Sequence, residues 1–239
     1  MNAERLTWDS DFFGFRVGRV VVSEDEASDA SDLRKTLEGL DVDLAYVFLP
    51  GAAGAAQERN RSVLVSLSGR LVDRKVTFCK RLLPQTDLPK EVMTVVALTP
   101  EIEALAYGSG WCSRFAGEDR LRPFFRPLYK RWLQNDLRDG RVLVKTSVAG
   151  KPVGLTTVSA RDGIGRIGLV AVDVEHCRRG IATELLRAAE DWLLQQGVGE
   201  CRVVTQHANV AGMALYERCG YAVVGQQEVW HVWKTPDLT

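Results

Sequence analysis

Two stretches of this chain combine residue types that could do chemistry together. The first is His176-Cys177-Arg178-Arg179-Gly180-Ile181-Ala182, which leads into a helix-patterned run. There Ile181, Leu185, Ala188, Ala189 and Trp192 recur at helical spacing and form one apolar stripe. Arg178 and Arg179 therefore stand where a helix dipole already presents partial positive charge, a poor place for cations unless an anion binds. Exposed backbone N–H groups, the dipole and two arginines together make a cradle for a pyrophosphate. Gly180 and Ala182 are small enough to let it approach the backbone. A plainer reading leaves both arginines in solvent and gives Gly180 only a turn. The second stretch runs from Gln206 to Tyr221 and holds His207, Asn209 and Tyr216. An imidazole titrates near neutrality, and an asparagine can bind a ligand or cap a helix. A phenol stays protonated to about pH 10 and can donate its proton. Equally, Tyr216 fits a core position under a short helix.

These residues need a scaffold, and the hydrophobic pattern supplies one. Residues 15–22, 44–49 and 71–80 read as strands, 29–40 as a helix, and 51–56 as a turn or helix start. Pro84, Pro89 and Pro100 mark a boundary across 81–100. Beyond it, 100–107 and 124–137 read as helices, the latter with Phe125, Leu128, Trp132 and Leu133 near one face. Strands follow at 142–148, 153–159 and 165–173, then a helix at 180–196 and a strand at 200–205. A short helix at 210–219 ends on Gly220, and strands at 221–224 and 228–233 close the chain. The expected class is α/β (α+β), with a mixed N-terminal domain over 1–90 and a second domain over 95–239.

Gly163-Ile164-Gly165-Arg166-Ile167-Gly168 matches the dinucleotide fingerprint G-x-G-x-x-G. That motif must open a helix, whereas here Leu169-Val170-Ala171-Val172 follows, a strand-like run. It reads as a hairpin turn. Lys plus Arg and Asp plus Glu each number 31, so there is no basic excess to suggest a nucleic-acid partner. The chain is 46% hydrophobic and 26% charged, as in ordinary globular proteins. No apolar run is long enough for a membrane span. Cys79, Cys112, Cys177, Cys201 and Cys219 are widely spaced with no C-x-x-C pair, which suggests neither a disulfide framework nor a metal cluster. Residues 1–5 lack the apolar core of a secretion signal, and the expected location is cytoplasmic.

The run from Gln206 to Tyr221 resembles the N-x-x-A-x-x-x-Y-x-x-x-G-[FY] signature of the GNAT superfamily of N-acetyltransferases, with Asn209, Tyr216, Gly220 and Tyr221 in place. The loop before it resembles that superfamily's [QR]-x-x-G-x-[GA] pyrophosphate motif, in the same order and spacing. Cys177 departs from the pattern, standing where Gln or Arg is usual, and Arg178 or Arg179 is left to make that contact. Trp8-Asp9-Ser10-Asp11-Phe12-Phe13-Gly14 and Ser113-Arg114-Phe115 are similar to segments of the dTDP-fucosamine acetyltransferase family, which joins a small N-terminal domain to a GNAT domain. Trp8, Phe12 and Phe13 also suit core anchors of an N-terminal strand.

The resemblance implies a GNAT fold and an acyl-CoA-dependent enzyme that moves an acetyl group from acetyl-CoA to a primary amine, without a metal. It places the thioester carbonyl near the backbone of Val170, Ala171 and Val172, and the pyrophosphate on Arg178, Arg179, Gly180, Ile181, Ala182 and Thr183. Asn209 would contact the pantetheine arm, and Tyr216 would protonate the departing thiolate. For the base, His207, His231, Glu228 and a chain of waters all stay open. Implied acceptors include the 4-amino group of a dTDP-linked deoxyamino sugar, with Arg114, Arg120 and Arg122 near a diphosphate and His207 near the substrate. A protein N-terminus, a lysine, a polyamine or an antibiotic is the alternative, as is a non-catalytic acyl-CoA-binding module. GNAT proteins are often dimers, so a homodimer is allowed.

Overall fold

The computed structural model describes residues 1–23, 30–51, 54–84 and 91–234. In chain order the elements begin β1 (Asn2–Arg5), α1 (Thr7–Phe13), β2 (Val17–Val21), α2 (Ala30–Gly39), β3 (Leu44–Pro50), α3 (Ala55–Ser66) and β4 (Arg70–Arg81). They continue with β5 (Val92–Thr94), α4 (Pro100–Ser109), α5 (Arg114–Gly117), α6 (Phe125–Asp139), β6 (Arg141–Thr146), β7 (Pro152–Arg161) and β8 (Ile164–Val172). The last are α7 (Ile181–Gln195), β9 (Glu200–Gln206), α8 (Val210–Arg218) and β10 (Ala222–Trp233).

Two compact units result, one of Met1–Val76 with Gly225–Thr239 and one of Thr77–Val224. The expected division at 81–100 differs from this, and residues 85–90 lie outside the described ones. The chain leaves the first unit within β4, before the prolines, and returns within β10. Its return has a backbone cause: β10 pairs antiparallel with β3 from Gln227↔Pro50 to Trp233↔Leu44.

In the first unit the strands run β1-β2-β3-β10, with β2 and β3 parallel across the α2 crossover. Val20, Leu33, Val47, Leu49 and Leu64 are fully buried in its core, where each such side chain contributes about 1.5–3 kcal/mol. The alternative reading of Trp8, Phe12 and Phe13 as anchors of an N-terminal strand gives way to a helix: all three lie on α1. Gly14 ends that helix at φ 75°, and the Ser10 hydroxyl ties it to Leu6 O at 2.7 Å. Only Phe13 of the three is buried, while Trp8 stacks on Phe12 at the surface. Of the expected turn or helix start at 51–56, Ala55 and Ala56 open α3 and residues 52–53 lie outside the described ones. The two expected closing strands are one, because Gln226 O accepts from Gly51 N–H and keeps the middle of β10 in register.

The second unit orders its strands β9-β8-β7-β6-β5. Between β7 and β8, Asp162 and Gly163 both have positive φ (54° and 72°), the two-residue hairpin turn that the fingerprint-like glycines were expected to make. Helices α4 and α6 pack on this sheet through Ile102, Ala106, Tyr129 and Leu133, while α7 packs through Ile181 and Leu185 against Val153.

Candidate active site

The site is built where two neighbouring strands part. β8 pairs parallel with β9 only from Gly165↔Cys201 to Ile167↔Val203. On its other edge β8 carries a bulge: Val158 faces Ile167 but Thr156 faces Val170, so Gly168 and Leu169 both stand opposite Thr157. Past the bulge β8 follows β7, with Asp173 N–H donating to Val153 O at 2.9 Å. Antiparallel alternation then turns the N–H and C=O groups of Val170 and Val172 away from β7. The Val172 carbonyl accordingly lies 4.0 Å from the Cys177 Sγ in the following loop.

That loop is shaped for an anion. Asp173 Oδ1 accepts from Glu175 N–H and caps a short 3-10 turn. Arg178 and Gly180 then take left-handed conformations, φ 64° and 82°. Gly180 is the N-cap of α7 and offers no side-chain acceptor, and the first intrahelical bond runs from Glu184 N–H to Gly180 O. The N–H groups of Ile181, Ala182 and Thr183 therefore have no partner within the helix.

α8 begins differently. Asn209 Oδ1 accepts from Gly212 N–H and its Nδ2 donates to Thr205 Oγ1, both at 3.0 Å. A Cβ on Gly212 would stand 2.5 Å from Asn209 Nδ2, so glycine leaves the Asn209 side chain room to make this cap. Farther along, Tyr216 is buried between Phe78 and Tyr221, with ring centroids 5.5 and 6.1 Å away. Burial raises the phenol's pKa above its ordinary value, helped by Cys219 and Cys201. The group is thus held protonated, as a donor must be. Beneath it Lys80 Nζ lies 2.8 Å from both Glu190 carboxylate oxygens and over the Tyr221 ring.

A cavity of about 430 Å³ joins these parts. Val170, Ala171, Val172, Arg178, Gly180, Ile181, Ala182, Thr183, Asn209 and Tyr216 all line it. Arg179 is the one expected cofactor contact absent from its described lining, and its guanidinium instead donates to Glu175 O at 3.1 Å. Arg114, Arg120, Arg122 and His207 are also absent from the described lining. Arg114 lies over the Phe115 ring, Arg122 pairs with Asp119, and His207 is exposed on the turn before α8. Ser113 accepts from Ala116 N–H at 3.4 Å, so the Ser113-Arg114-Phe115 motif builds the start of α5.

His231 and Glu228 belong to the first unit, whereas every described lining residue of the cavity belongs to the second. His231 packs on Tyr46 at 4.8 Å, and Glu228 accepts from Arg61 at 3.0 and 3.2 Å and from Trp230 Nε1 at 3.1 Å. Burial works against the Glu228 carboxylate, but these donors outweigh it and lower its pKa.

Sequence reasoning missed Gly108, Ser109 and Trp111, which line the cavity from the end of α4. Trp111 is 68% exposed there. Its signal was a tryptophan directly after Gly110, a glycine that leaves room for the Tyr129 ring.

The cavity fits acetyl-CoA on these observations. Partnerless amides beside two left-handed residues suit its phosphates, a mostly apolar channel suits its pantetheine arm, and the Val170 and Val172 amides suit its carbonyl.

Comparison with known proteins bears on the fold and on the family pattern of this region. Residues 111–221 match the model of the Acetyltransferase (GNAT) family. An uncharacterized N-acetyltransferase of Bacillus subtilis (strain 168), YobR, is 28% identical over 72 residues, 30% of this chain and 29% of that protein. A GCN5-related N-acetyltransferase from Sphaerobacter thermophilus superposes with a TM-score of 0.53 at 17% identity, over 82% of this chain and 62% of that one. A putative GNAT-family acetyltransferase from Novosphingobium aromaticivorans gives 0.54 at 16% identity, over 86% and 81%. This chain therefore has the fold of the GNAT acetyltransferases and carries their family pattern over residues 111–221.

Proposed function

We propose that this protein binds acetyl-CoA in the cavity between β8, α7 and α8 and transfers the acetyl group to a primary amine. One observation carries the reading: the partnerless amides of α7 and the buried phenol of Tyr216 border the same cavity. Acetyl-CoA supplies an activated thioester when bound. Ile181, Ala182 and Thr183 N–H, with Arg178, hold the phosphates, and Val170 and Val172 N–H face the thioester oxygen and stabilise negative charge gathering there. Tyr216 Oη donates its proton to the departing sulfur. A free thiol has a pKa of about 8.5 and an ordinary phenol one of about 10, so a phenol raised by burial is uncharged when the sulfur leaves. Asn209 keeps one Nδ2 hydrogen and one Oδ1 lone pair for the pantetheine arm while capping α8. Water is taken as the base in this scheme; His207 is absent from the described lining.

The acceptor we propose is the 4-amino group of a dTDP-linked deoxyamino sugar. Support comes from the motifs at Trp8 to Gly14 and Ser113 to Phe115, and from the exposed Trp111 ring at the cavity rim, a flat surface for a base or sugar face. The setting proposed with it is the reducing cytoplasm, given five free cysteines. The test is thiol release from acetyl-CoA with dTDP-4-amino-4,6-dideoxygalactose, simple polyamines and an N-terminal peptide as acceptors. Turnover with the sugar nucleotide alone supports the full reading. Turnover only with another amine removes the sugar, and acetyl-CoA binding without any turnover removes the enzyme in favour of a binding module.

A further inference from the structure

The β8 bulge decides which backbone amides face the cavity. Beyond it, Ala171 and Asp173 point their N–H groups at β7, and Val170 and Val172 point theirs away. Removing the extra residue would shift β8 by one and exchange its two edges, turning the Val170 and Val172 amides onto β7. Something must therefore hold the bulge, and three groups are placed to do it.

Leu169 N–H donates to Thr157 Oγ1 at 2.9 Å, in a buried bond between a strand amide and the side chain opposite it. Thr157 is 1% exposed, and its hydroxyl acts on the carboxyl of Asp136 on α6, whose pKa burial raises and this hydroxyl lowers. Gly168 completes the arrangement, because a Cβ there would stand 2.5 Å from Thr157 Oγ1 and 3.5 Å from Asp136 Oδ2. The hydroxyl thus accepts from the strand, with the Asp136 carboxylate of the helix close to the same point. A β-branched hydroxyl residue suits this position: the methyl fills the core, and the restricted χ1 fixes the oxygen.

We propose that Asp136 and Thr157 are positioning residues for acyl transfer, holding through Leu169 the bulge that aims the Val170 and Val172 amides into the cavity. This rests on the cavity being the acetyl-CoA site. Neither residue is among the described lining of the cavity, so their action is indirect. The arrangement predicts a selective defect. Loss of the Thr157 hydroxyl disturbs the amides that meet the thioester and pantetheine, while the α7 cradle for the phosphates stays intact.

The experiment is calorimetric titration of the full chain with two probes, acetyl-CoA and the 3′-phosphate of ADP, which lacks the pantetheine arm. Wild type is compared with Thr157→Val, Thr157→Ser and Asp136→Ala. Thr157→Val should weaken acetyl-CoA by about tenfold or more and leave the nucleotide within about twofold, as expected from losing a buried hydrogen bond. Thr157→Ser should restore the wild-type ratio, and Asp136→Ala should fall between. If Thr157→Val does not fold, the Asp136→Ala ratio decides alone. Equal loss of both probes, or no loss of either, overturns the positioning role. Wild type binding neither probe overturns the acetyl-CoA reading, and this proposal with it.

Discussion

Helices α7 and α8 both begin on one cavity and use their N-termini in opposite ways. α7 starts on Gly180, which has no side chain to cap with, so its first amides are left for a ligand. α8 starts on Asn209, whose Oδ1 takes the Gly212 amide, so its first turn is closed from within. What α8 offers instead comes two turns later, the shielded phenol of Tyr216. Under the proposed function this difference divides the labour, with phosphate binding on α7 and proton transfer on α8. A single N-cap residue separates the two roles.

The sharpest way to break that division is Tyr216→Phe. It should lower kcat by roughly 100-fold, as for loss of a general acid, with KM for acetyl-CoA changed less than about threefold. A comparable rise in KM would place Tyr216 in binding and erase the contrast with α7. Steady-state thiol release reads both constants.

Alkaline stability sharpens the contrast from another side. Cys201 is fully buried behind Tyr216, and burial pushes its thiol from 9.0 to about 11. Burial raises Tyr216 and Tyr221 as well. Between those limits the unfolded chain releases protons that the folded chain keeps, so stability should fall as pH rises through about 9 to 11, by on the order of 2 kcal/mol. Urea midpoints taken across that range should fall, and Cys201→Ala should flatten the slope. A slope unchanged by that substitution would remove Cys201 as the cause.

A smaller effect separates stability from binding on α7. Arg178 holds φ 64°, a left-handed conformation that strains a residue with a Cβ. Arg178→Gly should stabilise the chain by about 1 kcal/mol while weakening acetyl-CoA about fivefold. Thermal melts and calorimetry check the two signs, and gains in both would show that Arg178 does not meet the phosphates. Smallest in binding, Asn209→Ala should cost about 1 kcal/mol in stability through the lost cap and weaken acetyl-CoA about threefold through its lost contacts with the pantetheine arm.

Much of this was legible in the sequence, and for a definite reason. The stripe of Ile181, Leu185 and Ala189 sets α7, the glycine at 180 sets its open start, and the Asn209 to Tyr221 spacing sets α8, all by local rules. What stayed hidden depends on partners distant in sequence. The bulge at Gly168 and Leu169 exists only relative to Thr157 on another strand, and no pattern within β8 announces it. The return of β10 to the first unit depends on β3, about 180 residues earlier. α1 was hidden by aromatics that suit strands, and Trp111 enters the site because α4 ends beside it, a tertiary fact.

The most direct test of the division of labour reads individual backbone amides as CoA is added to the isotopically labelled chain. The N–H resonances of Ile181, Ala182 and Thr183 should move strongly and saturate together with those of Val170 and Val172, while Gly212, already bonded to Asn209 Oδ1, should move little. Saturating shifts at Gly212 with none at Ile181 to Thr183 would contradict the account, placing the phosphates on α8 and leaving the α7 cradle without a ligand.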